Sequence, residues 1–338
     1  MAGQERGLHD AAQVSVRMGG TELWAGVAPH GDGADATTSF SWTCATKPLL
    51  AIGVARLVDD GVADFDDPLT RWVPEAPARW GPIRLQDLLT HTVGWVGDPG
   101  AASALSEHET ALEVLLERGE VDPAWVAGTR ARYSVWTGWL LLDEVLRRAT
   151  GEDATAWLLR EVVGPAGLLR TTLGAPIQPW APLQHRGADR HPYVFDSPEL
   201  TVRAVPGLSA RGPAADLSRL FECILLDATH EGPGVLSPHA TTLLLHPARM
   251  GLVDEASGTD HTWARGLAVD RRAVHPKASE GTFSHAGVAS SCLGFADPAL
   301  KLAAAYVTDG IPSGLASMAR RFGLAQAIYA DIAERGAR

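Results

Sequence analysis

Strand-like segments lie near both ends of this 338-residue chain, and the stretch between them is patterned for helices. Gln13 to Met18 alternates in polarity, Gly19-Gly20 follows, and Thr21 to Ala28 continues, which predicts a β-hairpin with a glycine turn. Toward the other end, residues 262–270, 282–296 and 300–308 read as consecutive antiparallel strands, with Asp297-Pro298 marking one turn. The two ends must meet to build one sheet, and the block between them must form a lobe of its own. The expected fold is therefore α/β of the α+β kind: an antiparallel sheet of N- and C-terminal strands flanked by helices, plus an all-helical lobe. We expect one domain over residues 1–338, with the sheet lobe at about 10–60 and 260–338 and the helical lobe at about 61–259. An active site is expected between the lobes.

Helical spacing is clearest after Cys44, where Pro48 to Leu57 is apolar and Gly61 is a candidate C-terminal cap. Further helices are predicted over 85–90, 136–149, 152–163, 214–227 and 238–245, the last with Ser237 as N-cap. Ser106-Glu107-His108-Glu109 has a capping-box pattern opening a helix to about Arg118. A long amphipathic helix over about 313–334 closes the chain.

The net charge of −11 argues against nucleic acid or an anionic membrane surface as a partner. No leader-like apolar segment opens the chain and no run approaches a membrane span, so a cytoplasmic location is expected. Of the three cysteines, Cys223 and Cys292 fall in apolar runs and read as packing residues; three is no disulfide framework. No cofactor or metal motif is visible, and neither is expected.

Three motifs carry chemistry. Cys44-Ala45-Thr46-Lys47 puts a thiol and an amine one helical turn apart, where a lysine can take the nucleophile's proton or stabilise its anion. Tyr133-Ser134-Val135 precedes a helix, and His285-Ala286-Gly287 lies in a predicted strand. In this order, with Leu88 to Gly94 and Pro206 to Ala210 as further matching stretches, the chain resembles the β-lactamase-related family over roughly residues 10–330. That family holds class C β-lactamases, D-alanyl carboxypeptidases, esterases and acyltransferases, and its first motif is Ser-x-x-Lys. Here cysteine stands at the serine position.

The resemblance implies Cys44 as nucleophile, Lys47 as base, Tyr133 as proton relay and His285 as the His-x-Gly histidine common among esterases. It implies an oxyanion hole from the backbone N–H groups of Cys44 and Val288. The second motif's usual asparagine is Val135, which lowers the expectation of β-lactam or peptidoglycan substrates. Gly287, Val135, Trp42, Trp95 and Trp136 are expected to line the substrate pocket. His91 is read as structural. Because a thiolate is readily formed beside an ammonium and a helix N-terminus, Cys44 is expected to rest as thiolate against Lys47 ammonium. A thioester on sulfur passes acyl groups readily to amines. The favoured function is thus a cysteine-dependent acyltransferase that forms amides in natural-product biosynthesis, for instance of antibiotics. Its acyl donor would be a carrier-protein or coenzyme A thioester and its acceptor a small molecule. The alternatives are an esterase or amidase using Cys44 and water, and a catalytically inactive binding protein of the same fold.

Overall fold

The computed structural model describes residues 2–28, 34–98, 108–186, 202–312 and 314–336. β1 (Ala12–Met18) and β2 (Thr21–Ala28) form the expected hairpin. β3 (Ser39–Ser41) leads through a 3-10 turn, Thr43–Thr46, straight into α1 (Lys47–Asp59). Gly61 just past it has φ +70°, the left-handed value that favours glycine at a helix end. α2 (Leu85–Thr90), α3 (His108–Arg118) and α4 (Thr137–Thr150) follow. The capping pattern at Ser106 and Glu107 lies outside the described residues. Ala154–Leu158 then continues as a π-helical turn, Leu159–Val163.

Four short strands come next: β4 (Thr172–Leu173), β5 (Trp180–Ala181), β6 (Gln184–Arg186) and β7 (Ala210–Gly212). They fall within the block expected to be all-helical, and two or three residues are too few to show an alternating pattern. α5 (Ala214–Asp227) and α6 (Pro238–Leu245) match their expected bounds, and the Ser237 hydroxyl caps α6 at Ala240 N–H. β8 (Phe283–Ala286), β9 (Cys292–Asp297), β10 (Leu302–Thr308), β11 (Gly310–Pro312) and α7 (Gly314–Gly336) complete the chain. No helix among the described residues is long and apolar enough to cross a membrane.

The ends do meet. The main sheet runs β2-β1-β10-β9-β8 and is antiparallel throughout, with Ala12 opposite Thr308 and Met18 opposite Leu302. Both faces of β10 are covered. Ala303, Ala305 and Val307 enter the core shared with α1, α4 and α5. Leu302, Ala304 and Tyr306 enter a second core against Ala325, Ile328 and Tyr329 of α7. A strand buried on both sides reads as a continuous apolar run, and this one does. α5 packs on β1, β9 and β10 although its residues fall in the stretch assigned to the helical lobe. Its Glu222 reaches Arg17 of β1 at 2.7 Å.

Two strand expectations are corrected. Residues 262–270 form only isolated bridges at Trp263 and Ala268, because the chain turns at Gly266, φ +81°, and Ala264 N–H bonds Leu267 C=O at 2.9 Å. Residues 282–296 break into β8 and β9. The turn between them uses two left-handed non-glycine residues, Ala289 at φ +44° and Ser290 at φ +51°, so it carries no sequence signal.

At Gly294 of β9 a Cβ would stand 2.3 Å from the Phe221 ring of α5. Gly294→Ala therefore forces Phe221 to move, and we expect a loss of about 1–3 kcal/mol in unfolding free energy by urea denaturation. An unchanged midpoint and slope would contradict this account of the helix–sheet contact.

Candidate active site

The turn between β3 and α1 sets the first motif. In a 3-10 turn the side chains at i and i+3 eclipse, so Cys44 and Lys47 come to the same side. Lys47 N–H bonds Cys44 C=O, and Lys47 begins α1. Thr43, directly before Cys44, has φ +47°, an outlier for a β-branched residue. Cys44 is 8 % exposed and Lys47 is fully buried. The Lys47 Nζ donates to Val135 C=O at 3.1 Å and Gly207 C=O at 3.3 Å. Among the described residues no carboxylate pairs with it. Burial pushes the Lys47 pKa down, and Cys44 and Asp98 pull it only partly back. That direction opposes the resting thiolate–ammonium pair expected from the sequence.

Tyr133 enters from the segment before α4. Its ring lies tilted at 32° against His91 with centroids 4.1 Å apart, and the Lys47 Nζ sits 5.5 Å from its centroid. Burial, then the neighbouring Cys44, pushes the phenol well above its ordinary pKa, so it stays protonated. His91 Nδ1 accepts Ser134 N–H at 3.1 Å, so this residue, read as structural, fixes the backbone of the second motif. Asp98 holds the same segment from outside, accepting the N–H groups of Val135, Trp136 and Thr137 at 2.6, 3.0 and 3.0 Å. The carboxylate thereby caps α4 across a sequence gap of more than thirty residues, which no local pattern signals.

His285 projects from β8 with its ring edge-on to Trp263 at 5.6 Å. Its Nδ1 lies 3.0 Å from Ala286 C=O and must donate to it, which leaves Nε2 as a bare acceptor. That Nε2 is buried without a hydrogen-bond partner. Burial, then the charge of Lys47, lowers the His285 pKa to about 3, so the ring is neutral at any ordinary pH.

Cys44, Tyr133, Val135, His285, Gly287 and Val288 line one cavity of about 390 Å³. Of the expected pocket tryptophans, none lines it. Trp42 is a core residue whose indole bonds Gly212 C=O at 3.0 Å, and Trp95 packs edge-on against Trp80 in the same core. Trp136 packs against Cys44 in a smaller cluster with Val205 and Leu208. The tryptophan that does line the cavity is Trp263, from the turn mistaken for a strand. Beside it Arg249 and Asp254 form a buried pair at 3.1 Å, and Asp254 also accepts Tyr133 N–H at 3.3 Å. Val288 N–H is occupied: it donates to the Thr43 hydroxyl at 2.8 Å.

Residues 3–327 match the sequence profile of the Beta-lactamase family. The chain belongs to that family. Esterase EstB of Burkholderia gladioli is 31 % identical over 147 residues, 39 % of this chain and 37 % of that one. The chain spans less than two thirds of the length of the curated relatives it matches. Among solved structures, EstA from Arthrobacter nitroguajacolicus superposes with TM-score 0.81 at 21 % identity, covering 98 % of this chain and 94 % of that one. EstCE1, described as a hydrolase with promiscuous acyltransferase activity, gives TM-score 0.74 at 21 % identity over 91 % of each chain. At these identities the two structures establish the shared fold. Helices on an antiparallel sheet, with the motif-bearing turn at its edge, are the architecture of this family member.

Asp98→Ala leaves three backbone N–H groups without their acceptor. We expect it to cost about 2 kcal/mol in a urea unfolding curve, with Asp98→Asn recovering part of the loss. Equal stability of Asp98→Ala and the parent would show that the cap contributes nothing.

Proposed function

We propose that this chain is an acyl-transfer enzyme that forms an acyl-enzyme on Cys44, acting on carboxylic esters or thioesters as an esterase-type hydrolase. The observation that carries this reading is convergence: Cys44, Tyr133 and His285 line one cavity, with Lys47 buried directly behind the thiol. A neutral lysine amine has two N–H donors and one lone pair. The carbonyls of Val135 and Gly207 accept the two donors, which leaves the lone pair for the Cys44 proton. In this reading Lys47 takes that proton as Sγ attacks the acyl carbon, and the protonated Tyr133 passes one to the leaving oxygen or sulfur. The Nε2 of neutral His285 then accepts from the water that clears the acyl-enzyme. The oxyanion forms toward the backbone N–H groups of Cys44 and Val288.

Val135 supports esters over amides or β-lactams. No side-chain amide stands at that position to meet an acylamide group, and the residue serves Lys47 through its carbonyl instead. The named esterase EstB among the relatives points the same way.

A second reading follows from sulfur. A thioester intermediate favours amine over water as acceptor more than an oxygen ester does, and EstCE1 is a neighbour described with acyltransferase activity. In that form the chain would pass an acyl group from a carrier-protein or coenzyme A thioester to a small-molecule amine. Both readings suit a reducing compartment, where a free thiol persists, and on that ground we place the protein in the cytoplasm.

Intact-protein mass spectrometry after incubation with acyl thioesters, activated esters and a β-lactam tests the proposal. We expect an adduct from thioesters and esters that disappears in Cys44→Ala. Faster release by added amine than by water selects the transferase reading, and the reverse selects the hydrolase. No adduct from any donor would instead favour a binding protein without turnover.

A further inference from the structure

We propose that Thr43 is a built-in competitor for the oxyanion site: its hydroxyl holds the Val288 N–H in the resting enzyme and must release it before that donor can serve a substrate. This inference rests on the acyl-transfer reading above and adds a residue that controls it.

Five observations converge. The Val288 N–H donates to Thr43 Oγ1 at 2.8 Å, across 245 positions of sequence. Gly287 makes the approach possible, since a Cβ there would stand 2.7 Å from that same oxygen and 2.7 Å from Cys292 Sγ. The Val288 side of the contact is clamped. Arg320 donates to Ala289 C=O at 3.1 Å and Ser290 C=O at 2.8 Å, and the Tyr306 hydroxyl donates to Ser290 C=O at 3.1 Å. With the loop held in this way, breaking the contact falls to rotation of the Thr43 side chain. Thr43 also lines a small cavity of about 20 Å³, walled by Ser41, Ser209 and Arg211 together with the apolar Trp136, Val205 and Leu208, which leaves room for its side chain to rotate. Finally, Thr43 holds φ +47°, a strained value for a β-branched residue and one that recurs at switch positions.

The consequence is a coupled step. As Cys44 Sγ bonds to the acyl carbon, the carbonyl π pair moves onto oxygen and the thiol proton moves to Lys47. The new oxyanion takes the Val288 N–H only as Thr43 Oγ1 lets go. Collapse re-forms the carbonyl and expels the alkoxide or thiolate, which leaves with one proton. The bond to Thr43 is thus lost on the way to the transition state and slows acylation.

The test compares two reactions of the same sulfur. Acylation by a p-nitrophenyl ester develops an oxyanion; alkylation by iodoacetamide does not. Removing the hydroxyl in Thr43→Ala should raise the acylation rate relative to alkylation by about 3- to 10-fold, the equivalent of one neutral hydrogen bond. Thr43→Gly, which suits the positive φ and guards against a folding defect, should show the same gain. Thr43→Ser, which keeps the hydroxyl, should show none. An acylation-to-alkylation ratio in Thr43→Ala and Thr43→Gly at or below that of the parent overturns the proposal. Intact alkylation with no acyl-enzyme in any variant defeats the acyl-transfer reading itself, and this proposal with it.

Discussion

The constraint on which the site depends is the burial of Lys47. An amine removed from water strongly disfavours its charged form unless something compensates. Here the compensation is two backbone carbonyls, of Val135 and Gly207, from segments far apart in sequence. A carbonyl holds a donor without supplying a full opposite charge, so the arrangement leans toward the neutral amine. In the proposed mechanism it also lets the second motif hold Lys47 without an asparagine, through the Val135 carbonyl. What matters at position 135 is where the main chain runs, and that is fixed by Asp98, His91 and Asp254 around Tyr133, Ser134 and Val135.

The opposite wall follows a similar logic with the charges reversed in role. Arg320 is buried, and its two terminal nitrogens donate to the carbonyls of Leu8, Gly310, Ala289 and Ser290. It ties α7, the N-terminal segment and the turn after His285 into one support. Two consecutive left-handed residues in that turn would be costly if free; the guanidinium and the Tyr306 hydroxyl hold their carbonyls in place. The site is therefore a junction of main-chain segments; of the side chains that fix it, Asp98, His91 and Arg320 sit outside the cavity and Asp254 lines it. Mutational damage at Asp98 or Arg320 would act through position, since neither side chain is placed against the reacting atoms.

Much of this was legible in the sequence, and for physical reasons. The hairpin at 12–28, the helices at 85–90, 214–227 and 238–245, and the Cys44–Lys47 pairing are all set by local period and by turn chemistry. The meeting of the termini followed because strands at both ends need partners. What failed was non-local. The segment at 262–270 has strand-like composition, but Gly266 folds it back on itself, and so Trp263 was missed as a cavity wall. Trp42 and Trp95 lie close to motif residues in sequence yet face the core, since neighbours along a chain need not share a face. Asp98 and Arg320 carry no local signature, because the groups they hold lie ten to hundreds of positions away; Asp254 bonds Arg249, Ala256 and Ser257 nearby, but its bond to Tyr133 N–H crosses 121 positions. The Thr43 contact with Val288 is of the same kind.

The account turns on whether Lys47 is a base or a resting ammonium. The chain has only three lysines, Lys47, Lys277 and Lys301, so lysine-selective ¹³Cε labelling gives three signals, with Lys47→Arg assigning one. Burial favours the neutral form, so the Lys47 signal should titrate below the ordinary lysine value of 10.5. The acylation rate should rise with pH through that same lowered value as the free amine appears, and the limb should vanish in Lys47→Arg. A Lys47 signal that titrates at or above 10.5 would mean a resting ammonium held by thiolate, and would contradict the central claim.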